Sequence, residues 1–192
     1  MIAIVKYNAG NIKSVQNAVS RLGYESIITD EVEELKRADK VIFPGVGEAS
    51  SAMDYLLKRG LDKAILSLQN PVIGICLGLQ LMCRFTEEGN TKCLGIYDTD
   101  VRLFPPVEKV PHMGWNNFMT LKGELFTGIT KGDDVYYVHS YYPEVCSSTV
   151  AICEYIVPFS AAMQKGNFYA TQFHPEKSAS TGERILKNFL EL

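Results

Sequence analysis

The residues in this chain best suited to covalent chemistry are a glycine-flanked cysteine and a histidine–glutamate pair. Gly74-Ile75-Cys76-Leu77-Gly78 reads G-x-C-x-G. It is the thiol counterpart of the G-x-S-x-G nucleophile elbow, where a sharp strand-to-helix turn lifts the nucleophile above a sheet. A helix starting just after Cys76 would set its positive end near the sulfur and favour thiolate, the attacking form. Alone, the pattern fits equally well a buried core cysteine whose glycines serve packing. Phe173-His174-Pro175-Glu176 shifts the balance. His174 and Glu176 are two residues apart, so in extended chain they share one face. Glu176 would hold the ring and its tautomer, while His174 takes the thiol proton and later protonates a leaving amine. A lone H-P-E would read as a surface turn; paired with an elbow cysteine it reads as a catalytic dyad completed by a carboxylate. Pro44-Gly45-Val46-Gly47 is a further glycine-rich turn. Its backbone N–H groups, with that of Leu77, suit an oxyanion hole, although simple chain reversal explains it as well.

These turns need a scaffold, and the first half of the chain supplies one. Apolar runs at 2–5, 24–29, 40–43 and 72–75 read as strands. Residues 12–22, with Ile12, Val15, Val19 and Leu22 at helical spacing, read as a helix ended by Gly23. Residues 48–57, 61–68 and 77–85 read as further helices. Strand–helix alternation implies a parallel sheet with helices on both faces. Ligands then sit outside the carboxyl ends of the strands, where residues 7–11, 44–48 and 74–78 fall. The second half changes to short β segments at 101–104, 135–138, 150–154, 161–164 and 168–173. Gly166-Asn167 reads as a hairpin turn, and a last helix covers 181–190. The expected fold is therefore α/β: one domain over 1–192, a mostly parallel open sheet, and a smaller antiparallel portion in the C-terminal half.

Composition narrows the field. The chain has 192 residues, 46% of them hydrophobic, with 19 basic and 22 acidic side chains for a net charge of −3. No basic excess points to nucleic acid, and no apolar run approaches the ~20 residues of a membrane span. No signal-peptide pattern is present, so a cytoplasmic location is expected. Five cysteines without a C-x-x-C pair fit neither a disulfide framework nor a zinc site. Cys83, Cys93, Cys146 and Cys153 read as small buried hydrophobes. No metal and no cofactor is expected, since no metal-binding, dinucleotide or phosphate-loop motif occurs.

Taken together, Gly74 to Gln80, Pro44 to Gly47 and Phe173 to Glu176 resemble the class I (triad) glutamine amidotransferases, whose fold is flavodoxin-like. Tyr7 to Asn11 with Ser14, His112-Met113-Gly114-Trp115-Asn116, Tyr136 to Tyr141 and His174 to Ser178 most resemble the branch serving a cyclase (synthase) subunit in histidine biosynthesis. The resemblance spans essentially the whole chain. It implies that Cys76 attacks the side-chain amide of L-glutamine, that ammonia leaves from a thioester, and that water then releases glutamate. His174 acts as base and acid, oriented by Glu176. The N–H groups of Leu77 and of Val46 or Gly47 form the oxyanion hole. Gly47, Gln80, Glu88, Ser140 and Tyr141 surround glutamine, with Glu88 answering its ammonium and backbone N–H groups near Ser140 and Tyr141 its carboxylate. Asn11, Ser14, Trp115, Tyr136 and Lys177 face the cyclase in a heterodimer that channels ammonia.

Each of these residues also has a plainer reading. Asn11 and Ser14 suit a helix start, Lys177 a solvated surface, His112 loop packing, and His139 a satisfied, half-buried histidine within the aromatic run 136–142. Three functions compete with the leading one: the glutaminase of a different or paralogous synthase, a free-standing γ-glutamyl hydrolase, and a catalytically silent scaffold. The complete Cys76, His174 and Glu176 set argues against the scaffold.

Overall fold

The unbroken apolar runs of the first half form the centre of a large sheet, as strands covered on both faces must. A computed structural model describes residues 1–192. The first half contains β1 (Ile2–Val5), α1 (Ile12–Arg21), β2 (Ser26–Thr29), α2 (Val32–Arg37), β3 (Lys40–Phe43), α3 (Ala49–Arg59), α4 (Leu61–Ser67), β4 (Val72–Ile75) and α5 (Leu77–Met82). Short strands follow: β5 (Phe85–Thr86), β6 (Thr91–Lys92), β7 (Asp100–Leu103), β8 (His112–Asn116) and β9 (Thr120–Leu121). The chain ends with β10 (Val135–His139), β11 (Tyr141–Pro143), β12 (Thr149–Tyr155), β13 (Val157–Lys165), β14 (Phe168–Thr171) and α6 (Ala179–Leu190).

The main sheet has eight strands in the order β2-β1-β3-β4-β14-β13-β12-β9. The first five run parallel, and β13, β12 and β9 add antiparallel. Alternation along β1 sends Ala3 and Val5 to one face, where they meet Leu35, Leu56, Leu61 and Ile65 of α2–α4. Ile2 and Ile4 point to the other face, with Val15 and Val19 of α1 and Ile185 and Phe189 of α6. This is the expected α/β architecture with helices on both faces and an antiparallel extension. Two small sheets lie beside it: β11-β7-β5-β6, and the ribbon β10-β8, in which Trp115 pairs with Tyr136 and His112 with His139. No helix is long and apolar enough to cross a membrane.

Several elements differ from expectation, for local reasons. The helix expected over 77–85 stops at Met82, because Cys83 turns extended to lead into β5. The strand expected over 168–173 ends at Thr171, so residues 172–174 leave the sheet. Helix α2 escapes the sequence pattern because Leu35 is its one buried residue. The segment around His112, read as loop, is strand β8; its inward positions hold polar His112 and Asn116, which hides the alternation.

Candidate active site

At the carboxyl end of β4 the chain makes its sharpest turn. Cys76 has φ 53° and ψ −106°, a conformation that a residue with a Cβ adopts only under strain and that recurs at functional sites. The flanking glycines explain how the turn fits. A Cβ on Gly78 would lie 2.0 Å from the Phe43 carbonyl oxygen, and one on Gly74 would lie 2.9 Å from the Gly78 backbone. Glycine at both positions lets α5 rest directly on β3 and β4. The Cys76 N–H donates to the Thr171 carbonyl at 2.8 Å, which ties the elbow to the strand leading into His174.

The other two chemical groups lie on that segment. His174 Nδ1 and Glu176 Oε1 are 2.9 Å apart, with both side chains fully buried. His174 Nε2 has no hydrogen-bond partner. Burial is the largest influence on His174 and depresses its pKa. The adjacent Cys76 sulfur and the Glu176 carboxylate outweigh it and hold the pKa up to about 10. Burial likewise opposes the Glu176 charge, but His174 and Asn11 together bring its pKa below the ordinary carboxylate value. These directions describe an imidazolium–carboxylate pair beside the Cys76 sulfur. Cys146 is half-buried; at three further cysteines burial first of all raises the pKa, Cys93 to about 12, Cys153 to about 11, and Cys83 strongly. They are poor nucleophiles, as their packing reading implies.

Two residues at the row escaped the sequence reading. Gln172 Nε2 donates to Cys76 Sγ at 3.6 Å. The spacing of Gln172, His174 and Glu176 was an available signal, since alternate residues share a face. Asn11 Nδ2 donates at 2.9 Å to the same Glu176 oxygen that meets His174. Asn11 is only 5% exposed, so its side chain turns inward to the triad and not outward as an interface contact. No local pattern reveals this, because the two partners lie 165 residues apart.

Cys76 opens onto a cleft of about 250 Å³ whose walls include Gly47, Leu77, Gln80, Glu88, Ser140 and Tyr141. All five residues expected around glutamine therefore line one space. Gln80 Nε2 donates to the Tyr141 carbonyl and to Gln172 Oε1, each at 3.0 Å. Glu88 Oε2 accepts the Ala49 N–H at the start of α3, at 3.0 Å. Burial is the main influence on this carboxyl and leaves its pKa raised. A larger cleft of about 480 Å³ beside α6 is walled by Asp133, Glu183, Arg184 and Lys187 and contains neither cysteine nor histidine.

Two of the N–H groups expected to hold an oxyanion, those of Leu77 and Val46, are turned to other uses in this conformation. The Leu77 N–H, an expected donor, is occupied by the Gly45 carbonyl at 3.2 Å. In a trans peptide the carbonyl and N–H point opposite ways. The Val46 N–H on that same peptide therefore faces away from the site. Tyr7 holds the preceding carbonyl, donating its hydroxyl to Pro44 O, and the Gly10 N–H holds Val46 O at 3.3 Å. Rotating the Gly45–Val46 peptide would remove the block and turn the Val46 N–H inward in one motion.

Outside the cleft, the β8–β10 ribbon presents an apolar surface. Trp115 is 54% exposed and meets the Tyr136 ring edge-on at 5.9 Å. Met113 is exposed beside it. Ser14 and Lys177 are exposed as well. The Tyr136 carbonyl accepts the His174 N–H at 2.9 Å, so this ribbon is bonded directly to the backbone of the triad histidine.

The family described as glutamine amidotransferase class-I matches residues 3–192. A Bacteroides fragilis protein described as imidazole glycerol phosphate synthase subunit HisH is 62% identical, over 100% of this chain and 99% of that protein. A Vibrio cholerae protein with the same description is 43% identical, over 100% and 98%. Among solved structures, PurLQS from Thermotoga maritima aligns with a TM-score of 0.72 at 15% identity, covering 99% of this chain and 97% of that one. A glutamine amidotransferase from Thermotoga maritima aligns at 0.64 with 16% identity, covering 99% and 82%. At those identities the structural likeness concerns the fold alone.

Proposed function

We propose, from the premise that this chain belongs to the class-I glutamine amidotransferase family, that it is the glutaminase subunit of an imidazole glycerol phosphate synthase in histidine biosynthesis. Residues 1–192 act as one amidotransferase domain. The observation that carries this reading is the buried Cys76, His174 and Glu176 row at the edge of a cleft walled by Gly47, Gln80, Glu88, Ser140 and Tyr141.

In the reaction, the Cys76 thiolate attacks the side-chain amide carbon of L-glutamine, and the carbonyl oxygen becomes an oxyanion. His174 gives its Nε2 proton to the amide nitrogen, the C–N bond breaks, and ammonia leaves a γ-glutamyl thioester. Water then attacks the thioester carbon while His174 Nε2 accepts its proton. Collapse of the second oxyanion breaks the C–S bond, releasing glutamate and restoring the thiolate. Glu176 keeps the ring oriented as it passes between imidazolium and neutral imidazole, and favours the charged form. Glu88 answers the substrate ammonium, and backbone N–H groups near Ser140 and Tyr141 answer its carboxylate.

Both oxyanions need the Leu77 and Val46 N–H groups. With the Gly45 carbonyl in the way the uncomplexed chain is slow, each missing donor costing about 10²–10³ in kcat. A cyclase subunit forms a heterodimer on the surface carrying Trp115, Tyr136, Ser14 and Lys177 and takes ammonia without release to bulk water. Trp115 suits an anchoring role there through its large apolar area. A reducing, cytoplasmic setting keeps Cys76 free of disulfides. The test is Cys76→Ala in the complex with the cognate cyclase. Glutamine-dependent synthesis should disappear while synthesis from added ammonium salt persists. Glutamine cleavage continuing near the parent rate would rule the reading out.

A further inference from the structure

The mechanism makes no use of two of the chain's three histidines, and these two form a buried pair beside the cleft. His112 Nδ1 and His139 Nε2 are 3.0 Å apart. His139 Nδ1 lies 2.8 Å from the Tyr141 carbonyl, and His112 Nε2 lies 3.4 Å from Asn116 Nδ2. His112 is stacked on Tyr155 at 4.1 Å, and His139 packs against Phe159 at 5.1 Å, so neither ring is free to turn.

The protons in this row are determined from both ends. Asn116 is oriented by two other bonds: its Oδ1 accepts the Asn117 N–H at 2.8 Å, and its Nδ2 donates to the Glu154 carbonyl at 3.0 Å. Its nitrogen can only donate, so His112 Nε2 accepts and the His112 proton sits on Nδ1. That proton is donated to His139 Nε2, which leaves the His139 proton on Nδ1, aimed at Tyr141 O. Starting from the other end, the Tyr141 carbonyl can only accept, and it demands the same arrangement. Protonating either ring would set two N–H groups face to face.

The Tyr141 carbonyl also accepts from Gln80 Nε2, whose second proton goes to Gln172, whose own amide reaches Cys76 Sγ. One connected row thus runs from Asn116 on the β8–β10 ribbon to the cleft wall and the nucleophile, with the Tyr141 carbonyl accepting from both sides. We propose that His139, held in its Nδ1–H tautomer by His112 and Asn116, is a positioning residue for glutamine binding, acting through the Tyr141 carbonyl and Gln80. This rests on the amidotransferase reading for the identity of the ligand. His139 sets the backbone at Tyr141 and the orientation of Gln80, two walls of the cleft.

The test compares His139→Phe, which keeps an aromatic ring but removes the donor, with His139→Asn, whose amide nitrogen can replace Nδ1–H. Both are assayed for glutamine hydrolysis in the complex with the cyclase subunit, with the melting temperature of each variant chain as the check on folding. For His139→Phe the KM for glutamine should rise about tenfold or more with kcat within about threefold, and His139→Asn should recover most of the loss. Nitrogen-15 NMR of the parent should show His112 and His139 as neutral Nδ1–H tautomers. An Nε2–H tautomer at His139, an unchanged KM in His139→Phe, or equal damage in both variants would overturn the proposal. Should His139→Phe fail to fold, Asn116→Asp puts an acceptor against His112 Nε2 and reverses the row from outside the cleft. It should raise KM in the same way, and a parent-like KM would again overturn the proposal. A parent that turns over no glutamine, free or complexed, overturns the amidotransferase reading and this ligand with it. An active parent with parent-like variants overturns the positioning role alone.

Discussion

Replacing Glu176 by Gln separates the charge of the triad carboxylate from its geometry. In the native row, Glu176 Oε1 accepts from both His174 Nδ1 and Asn11 Nδ2, each at 2.9 Å, while Oε2 has no partner. A glutamine at 176 therefore keeps its oxygen at the Oε1 position as long as Asn11 keeps its amide nitrogen inward. The His174 tautomer survives, and the negative charge is what is lost. An opposite charge in close contact contributes about 1.4–4 kcal/mol to holding a proton. The pair is fully buried, so salt screens little of this. The His174 pKa should fall below about 10, and kcat for glutamine hydrolysis should drop about 10- to 10³-fold. Adding Asn11→Leu removes the second donor, frees the glutamine amide to turn its NH₂ toward the ring, and mis-sets the tautomer. The double variant should then lose about 10⁴ in kcat, the cost of a wrong tautomer in a triad. Steady-state hydrolysis in the complex and NMR titration of His174 measure both effects. A Glu176→Gln variant already 10⁴ down, and made no worse by Asn11→Leu, would refute the role given to Asn11. Parent-like rates in the single variant would refute the role of Glu176.

Three further outcomes follow from the same geometry. In Gly78→Ala the new Cβ meets the Phe43 carbonyl oxygen at 2.0 Å, where backbone cannot swing aside; it should cost about 1–3 kcal/mol or more of stability, read as a lower denaturant midpoint, and an unchanged midpoint contradicts the packing account. Because the His174 pKa is raised to about 10, its contribution to stability is complete below its ordinary value and disappears as pH rises through about 10, where the acid that protonates the leaving amide nitrogen is also lost. Melting temperature and kcat should decline together over that range, and a flat kcat profile there would exclude His174 as the acid. Trp115→Ala should weaken binding of the cyclase subunit by about 2 kcal/mol, roughly thirtyfold in Kd; titration calorimetry giving an unchanged Kd removes Trp115 from the interface.

What could be read from sequence, and what could not, divides along a physical line. Cys76, His174 and Glu176 announce themselves because a nucleophile elbow and an H-x-E pair need fixed residue types at fixed short spacing. Strands β1, β3 and β4 were readable because strands buried on both faces are continuous apolar runs. Asn11 was not readable as a triad neighbour, since a helix-start asparagine looks the same whichever side chain its amide meets. Strand β8 was hidden because its inward positions carry His112 and Asn116, polar residues satisfied by the His139 ring and the Glu154 carbonyl. The state of the oxyanion hole was least accessible of all. Pro44-Gly45-Val46-Gly47 permits both orientations of the Gly45–Val46 peptide, and the choice depends on whether Leu77 or an incoming oxyanion is the better partner.

The ribbon β8–β10 joins these threads. Alternation along its strands sends Met113, Trp115 and Tyr136 outward and His112, Tyr137 and His139 inward. The outward side chains form the surface proposed for the cyclase. The inward ones begin the row that reaches Tyr141, Gln80 and Cys76. The backbone between them holds His174 through Tyr136 O. A two-stranded ribbon has little stability of its own and takes its position from what packs on its two faces. A partner pressing on Trp115 therefore acts on an element whose other face supports the glutamine pocket and whose edge holds the general acid. The proposed docking and catalysis would be coupled by a shared strand pair, because a period of two residues places the proposed partner contacts and the pocket's supports on opposite sides of the same backbone.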